Sequence, residues 1–176
     1  MSPTEQPHPT RPIGLSMLII SCVLGLGLLT LFFDNMLERR ANPNQNPVST
    51  TGSDGSVEVE LRRNQQGHYV AGGLVNDARA VFLLDTGATD VVLPEELALT
   101  AGLERGAPTR ASTANGDVVV YSATIAELQI GGILLTGVRA SINPAMTGNT
   151  VLLGMSALRH VEFTQRGDQL TLRYIP

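Results

Sequence analysis

Apolar positions fall into two regimes along this chain. Residues 13–33 form an unbroken apolar run without a charged side chain, long enough as a helix to cross a hydrocarbon layer about 30 Å thick. It is apolar all round, which argues against a core helix that shows one face to water. A cleaved signal peptide is the competing reading, but its apolar core is shorter and ends in a small-x-small site, whereas this run ends in Leu31-Phe32-Phe33-Asp34. The pattern therefore predicts an N-terminal tail over 1–12, a transmembrane helix over 13–33, and a flexible linker over 34–56, rich in Asn, Pro, Ser, Thr and Gly.

Beyond residue 57 the period shortens to two. Val57-Glu58-Val59-Glu60-Leu61 alternates as a half-buried strand does. Strands over 68–75 and 79–84 flank Asn76-Asp77-Ala78, and two more over 109–130 flank Asn115-Gly116, the strongest short hairpin signal in the chain. A strand over 133–142 follows Gly131-Gly132, and a last hairpin over 163–175 turns at Arg166-Gly167-Asp168. Helix signals are few: Pro94-Glu95-Glu96-Leu97-Ala98 starts one that Gly102 stops, and 156–160 is a short amphipathic stretch. Many short strands with one or two short helices predict a closed or sandwiched all-β domain over 57–176.

Composition narrows the chemistry. The 12 basic residues are all Arg, form no cluster beyond pairs and leave a net charge of −4, so nucleic acid is not an expected partner. The one cysteine, Cys22, lies inside the apolar run. His68 and His160 are isolated and no His-x-x-x-His spacing occurs, so neither a metal nor another cofactor is expected.

The informative polar residue is Asp85, set where the apolar strand Val81-Phe82-Leu83-Leu84 runs into Thr86-Gly87-Ala88-Thr89. A carboxylate carried into a core costs several kcal/mol unless it is paired or hydrogen-bonded, so its placement here suggests a group held for chemistry. Taken alone, Asp85-Thr86-Gly87 reads first as an ordinary strand-ending turn. A second apolar run, Val151-Leu152-Leu153, ends in Gly154-Met155. An apolar pair before Asp-Thr-Gly-Ala, followed at this distance by an apolar run, Gly and a short helix, resembles the retropepsin-like aspartic proteases, in particular bacterial single-domain, membrane-anchored members.

That resemblance implies a retropepsin-like closed β-barrel and an aspartic endopeptidase acting on polypeptide. It gives Asp85 the attacking water, Thr86 the bracing of a partner loop, and Gly87 a turn whose amides approach the carboxylate. Ala88, Leu153 and Gly154 would support the site, and the hairpin tip Ala114, Asn115 and Gly116 would be the flap over bound peptide. Thr89 stands where viral relatives often carry Asp, which implies that a flanking salt bridge is missing. Such chemistry takes two carboxylates. No other Asp in the chain has the motif, so a homodimer with Asp85 from each subunit is expected. A non-catalytic β-domain of the same fold, tethered for protein binding, is the alternative from a different class.

Orientation is drawn two ways. Arg11 precedes the span and Arg39 and Arg40 follow it, a one-residue bias towards a cytoplasmic C-terminal domain. The resemblance implies a bacterial inner-membrane, single-pass protein with a periplasmic catalytic domain.

Overall fold

The computed structural model describes residues 11–113 and 116–176, which form two compact units meeting between Glu38 and Arg39. The first is built on helix α1 (Arg11–Ala41), whose side chains are exposed from Gly14 to Asp34. The most apolar 18-residue window of Gly14–Ala41 has a mean hydropathy of 2.4, and the helix is long and apolar enough to cross a membrane. Within this apolar stretch the Thr30 hydroxyl donates to the Leu26 carbonyl at 2.8 Å, so that polar group is satisfied inside its own helix.

The second unit is nearly all strand. Six strands close on themselves: β3 (Val70–Val75), β4 (Ala78–Leu84), β9 (Thr150–Leu153), β5 (Val91–Pro94), β8 (Ile133–Asn143) and β7 (Gly116–Ile130). Closure comes from β3 meeting β7, with Leu74 opposite Gln129 and Val75 opposite Leu128. β6 (Pro108–Thr113) extends β7 as a hairpin. The expected closed barrel is thus the observed one. Inward alternation of Ala78, Ala80 and Phe82 on β4, with Val91, Leu93, Ile125, Leu128, Ile142 and Val151 around them, makes the core. Phe82 is its largest fully buried side chain, a burial worth roughly 1.5–3 kcal/mol, and it fixes β4 three residues before Asp85.

A second, four-stranded sheet is ordered β1 (Ser49–Thr51), β2 (Val57–Arg62), β11 (Gln169–Tyr174) and β10 (Glu162–Arg166). Its inner residues Val59, Leu61, Leu170 and Leu172 join the same core. On its outer face Arg173 pairs with Asp54, Glu58 and Glu162. Hydrogen bonds from Ser56, with Arg173 nearby, hold the Asp54 carboxyl down at about 2.

Two short helices complete the unit. α2 (Glu95–Thr100) follows Pro94 and stops at Gly102, as its signals predict. α3 (Met155–Leu158) follows Gly154. The Asn76-Asp77 turn has positive φ at both residues, the conformation of a two-residue hairpin loop.

The linker expected over 34–56 is not a linker. Residues 34–41 continue α1, and 42–51 run over the barrel as a strap. Asn44 is its central fastening. Its Nδ2 donates to the carbonyls of Arg62 (2.9 Å) and Val70 (2.7 Å), its Oδ1 accepts from the Arg62 amide (2.7 Å), and its carbonyl accepts from Gly72 (2.8 Å). Asn64 donates to the Ala41 carbonyl at 3.0 Å, and Ser49–Thr51 pairs with β2. Gly72 permits the passage: a Cβ there would lie 2.1 Å from the Gln45 carbonyl oxygen. A composition argument weighs apolar burial, whereas this segment is held by hydrogen bonds to backbone groups that β2 and β3 would otherwise leave open.

Candidate active site

β4 and β9 run parallel, with Leu84 opposite Leu153, so both apolar runs end side by side. From that shared end the chain turns into the loop 85–90. The Asp85 amide donates to the Leu153 carbonyl at 3.2 Å, and the Ala88 amide returns to the Asp85 carbonyl at 3.2 Å. The Gly87 amide donates to Asp85 Oδ1 at 2.9 Å. Asp85 is half-buried at the barrel end, with Thr86 and Gly87 exposed beside it. A carboxylate fully inside the core, as its apolar flanks suggest, is therefore replaced by one seated at the rim and held by a backbone amide.

Gly87 does not use the left-handed region that glycine tolerates. Its service is to bring an amide to the carboxylate. A Cβ at this position would stand 3.2 Å from Asp85 Oδ1, already a tight contact.

Beneath the loop lies Gly154. A Cβ there would sit 2.1 Å from the Asp90 carbonyl oxygen and 2.7 Å from that of Ala88, so the loop rests directly on the backbone of the β9–α3 junction. α3 then closes on the loop. Met155 and Ser156, whose amides have no partner within the helix, donate to the carbonyls of Ala88 (2.8 Å) and Thr89 (2.9 Å). Ser156, 2% exposed, also accepts from the Val91 amide at 2.9 Å and donates its hydroxyl to the Arg139 carbonyl at 2.7 Å.

Asp85, Thr86, Gly87, Ala88, Leu153 and Gly154 thus meet in one place. Gly116 opens β7 opposite Thr113, at the base of the hairpin whose tip residues Ala114 and Asn115 lie outside the described residues. Sequence reasoning missed Ser156, whose meaning lies in partners far along the chain. It also expected no salt bridge beside the loop because Thr89 is not acidic. The next residue supplies one: Asp90 Oδ1 accepts from Arg139 Nε at 2.7 Å. The adjacent Thr89-Asp90 pair was the available signal. With Asp90 neutralised by Arg139, Asp85 is the loop carboxylate that forms no ion pair among the described residues. No group of His, Cys, Asp and Glu that could hold a metal ion forms among those residues either.

Comparison with known proteins agrees with this geometry. The family model described as "gag-polyprotein putative aspartyl protease" matches residues 71–160, which contain every element of the loop and its floor. The structure resembles a retropepsin-like aspartic protease from Rickettsia conorii, with a TM-score of 0.56 and 26% identity over 72% of this chain and 94% of that one. A further likeness is to the EIAV protease in complex with the inhibitor HBY-793, at a TM-score of 0.46 and 22% identity over 56% of this chain and 92% of that one. A curated Sinorhizobium relative, an uncharacterized protein in the cobV 5′ region, is 32% identical over 130 residues, 70% of this chain. The chain spans about half the length of that relative, 54%. A match over half the chain, a closed barrel and a shared fold place this protein in the gag-polyprotein aspartyl protease family, with the retropepsin-like fold.

Proposed function

We propose that the chain is an aspartic endopeptidase in which Asp85 of two copies meets at a two-fold axis to activate water against a peptide bond. The observation that carries this is the seating of Asp85: half-buried at the barrel end, bonded to a backbone amide and forming no ion pair among the described residues, beside an acid of the same loop that is paired with Arg139. The Asp85–Gly87 bond is also that of an ordinary Asx turn; what sets Asp85 apart from Asp90 is a charge with no cation beside it among the described residues. The name of the Rickettsia neighbour, a retropepsin-like aspartic protease, supports the same reading.

Each residue has a part in the proposed chemistry. Two close carboxylates cannot both ionise freely, so the pair shares a proton; one polarises the scissile carbonyl and the other takes a proton from water. The Gly87 amide would keep the Asp85 carboxylate oriented, and Thr86, exposed on the loop, would brace the partner loop. The β6–β7 hairpin would cover the peptide as a flap, through 114–116. α1 would anchor the protein in a bacterial inner membrane with the barrel on the periplasmic side, and polypeptide is the substrate class. No cofactor or metal takes part.

Full-length protein in detergent, incubated with a mixed peptide library from acid to alkaline pH, tests the reading. Wild type should cleave best in acid or mildly acidic solution and lose activity as the shared proton leaves. Asp85→Asn should reduce turnover by at least about a thousandfold while keeping the fold, since an amide fills the same volume but cannot act as a base. Substantial turnover by the folded variant would reject the mechanism.

A further inference from the structure

The loop after Asp85 is held by a closed circuit of bonds through a residue that has no part in the chemistry described so far. Ser156 Oγ accepts from the Val91 amide (2.9 Å) and donates to the Arg139 carbonyl (2.7 Å), while Arg139 Nε reaches back to Asp90 Oδ1 (2.7 Å). The Ser156 amide adds a bond to the Thr89 carbonyl (2.9 Å). Residues 89 and 91 are thereby both drawn to Ser156. Asp90, between them, sends its carbonyl onto Gly154 and its carboxylate to Arg139. Three separate segments, the start of β5 where the loop ends, β8 and α3, meet at the hydroxyl of a residue that is 2% exposed.

A buried serine with one hydroxyl proton and free lone pairs is matched to this task, since it donates once and accepts at the same time. Alanine would leave the Val91 amide and the Arg139 carbonyl without that partner. Catalytic geometry is sensitive to such support, because a shift of about 1 Å from a distant change can cost about a hundredfold in rate.

We infer that Ser156 is a positioning residue for the Asp85 loop: its hydroxyl fixes Val91 at the far end of the loop and, with its own amide on Thr89 and the Asp90–Arg139 pair, sets where the Asp85 carboxylate stands. The inference rests on the proposed protease reading, so its test carries one readout that does not. Full-length Ser156→Ala, Ser156→Thr and Val59→Ala would be compared with wild type, the last being a core change in the four-stranded sheet that lowers stability without touching the loop. Ser156→Ala should lower kcat by about 30- to 100-fold with KM changed less than about threefold, and Ser156→Thr should recover most of the loss. Val59→Ala should keep kcat within about threefold at a temperature where it is folded.

Hydrogen exchange supplies the independent readout. In Ser156→Ala, amides of Gly87, Ala88 and Val91 should exchange at least about tenfold faster, while those of β2 and β11 are unchanged. Should Ser156→Ala fail to fold, Arg139→Gln opens the same circuit at its exposed link and should give the same pattern at smaller size. Unchanged loop exchange in a folded variant, or a kcat that follows stability alone across all variants, overturns the positioning role. Loop exchange that speeds up in a protein whose wild type cleaves no peptide keeps the positioning role and removes the protease reading instead.

Discussion

Gly154 is the residue on which the site is most finely balanced, and the constraint is one of space. Its backbone is extended (φ −84°, ψ −175°), a conformation open to any residue. What forbids a side chain is the Asp90 carbonyl 2.1 Å from where a Cβ would stand. Gly154→Ala should therefore push the loop outward, costing about 1–3 kcal/mol of stability as overpacking does and about a hundredfold in peptide turnover. Thermal unfolding and a peptide assay on the same preparation check this; a variant with wild-type values for both would mean that the loop does not rest on β9 as described. At this scale Asp85 and Gly154 were legible in the sequence, because a carboxylate before a glycine turn and a glycine after an apolar run declare themselves by type and place. Ser156 and Arg139 were not. A serine in a short amphipathic stretch and an arginine in a strand carry no local sign that 17 residues apart they share a bond.

Elements followed their patterns wherever neighbouring strands pair. The two-residue turn at Asn76-Asp77 and the last hairpin β10–β11 are where alternation and turn residues place them, since register in a hairpin is set locally, whereas Gly116, expected in a turn, is paired with Thr113 as the first residue of β7. The strap escaped because its partners are distant and its bonds polar: Asn44 is fastened to Arg62 and Val70 by side-chain groups that composition alone reads as solvated. Asn44→Ala leaves the Arg62 amide and two carbonyls short of a partner near the seam between β2 and β3. Loss of about 2–3 kcal/mol is expected, measured by urea unfolding of the full-length protein. A change below about 0.5 kcal/mol would show that the strap is not fastened at this point.

On the scale of the molecule, closure of β3 on β7 leaves a barrel with one Asp-Thr-Gly loop at one end. Strand count and turn spacing read as all-β, closed or sandwiched, and the resemblance chose the barrel, whereas which strands close the ring depends on long-range pairing that no local pattern encodes. One loop per chain makes the assembly testable without a natural substrate. Specific activity should fall on dilution of detergent-solubilised protein, and excess folded Asp85→Asn should poison wild type through mixed dimers. Activity per molecule that stays constant through dissociation, followed by sedimentation, with no effect of the inactive variant, would refute a site shared between copies.

The strap also changes the mechanics of such an encounter. A coil over 34–56 would let a barrel wander roughly 25 Å from its point of attachment, and two neighbours could find each other by wandering. Here Ala41 ends α1 and is already bonded to Asn64, and three residues later Asn44 is built into the barrel wall. Residues 39–51 thus belong to the barrel unit instead of lengthening a free tether. Chain fastened to the barrel is chain withheld from reach, so Asn44→Ala would lengthen the free tether as well as lower stability.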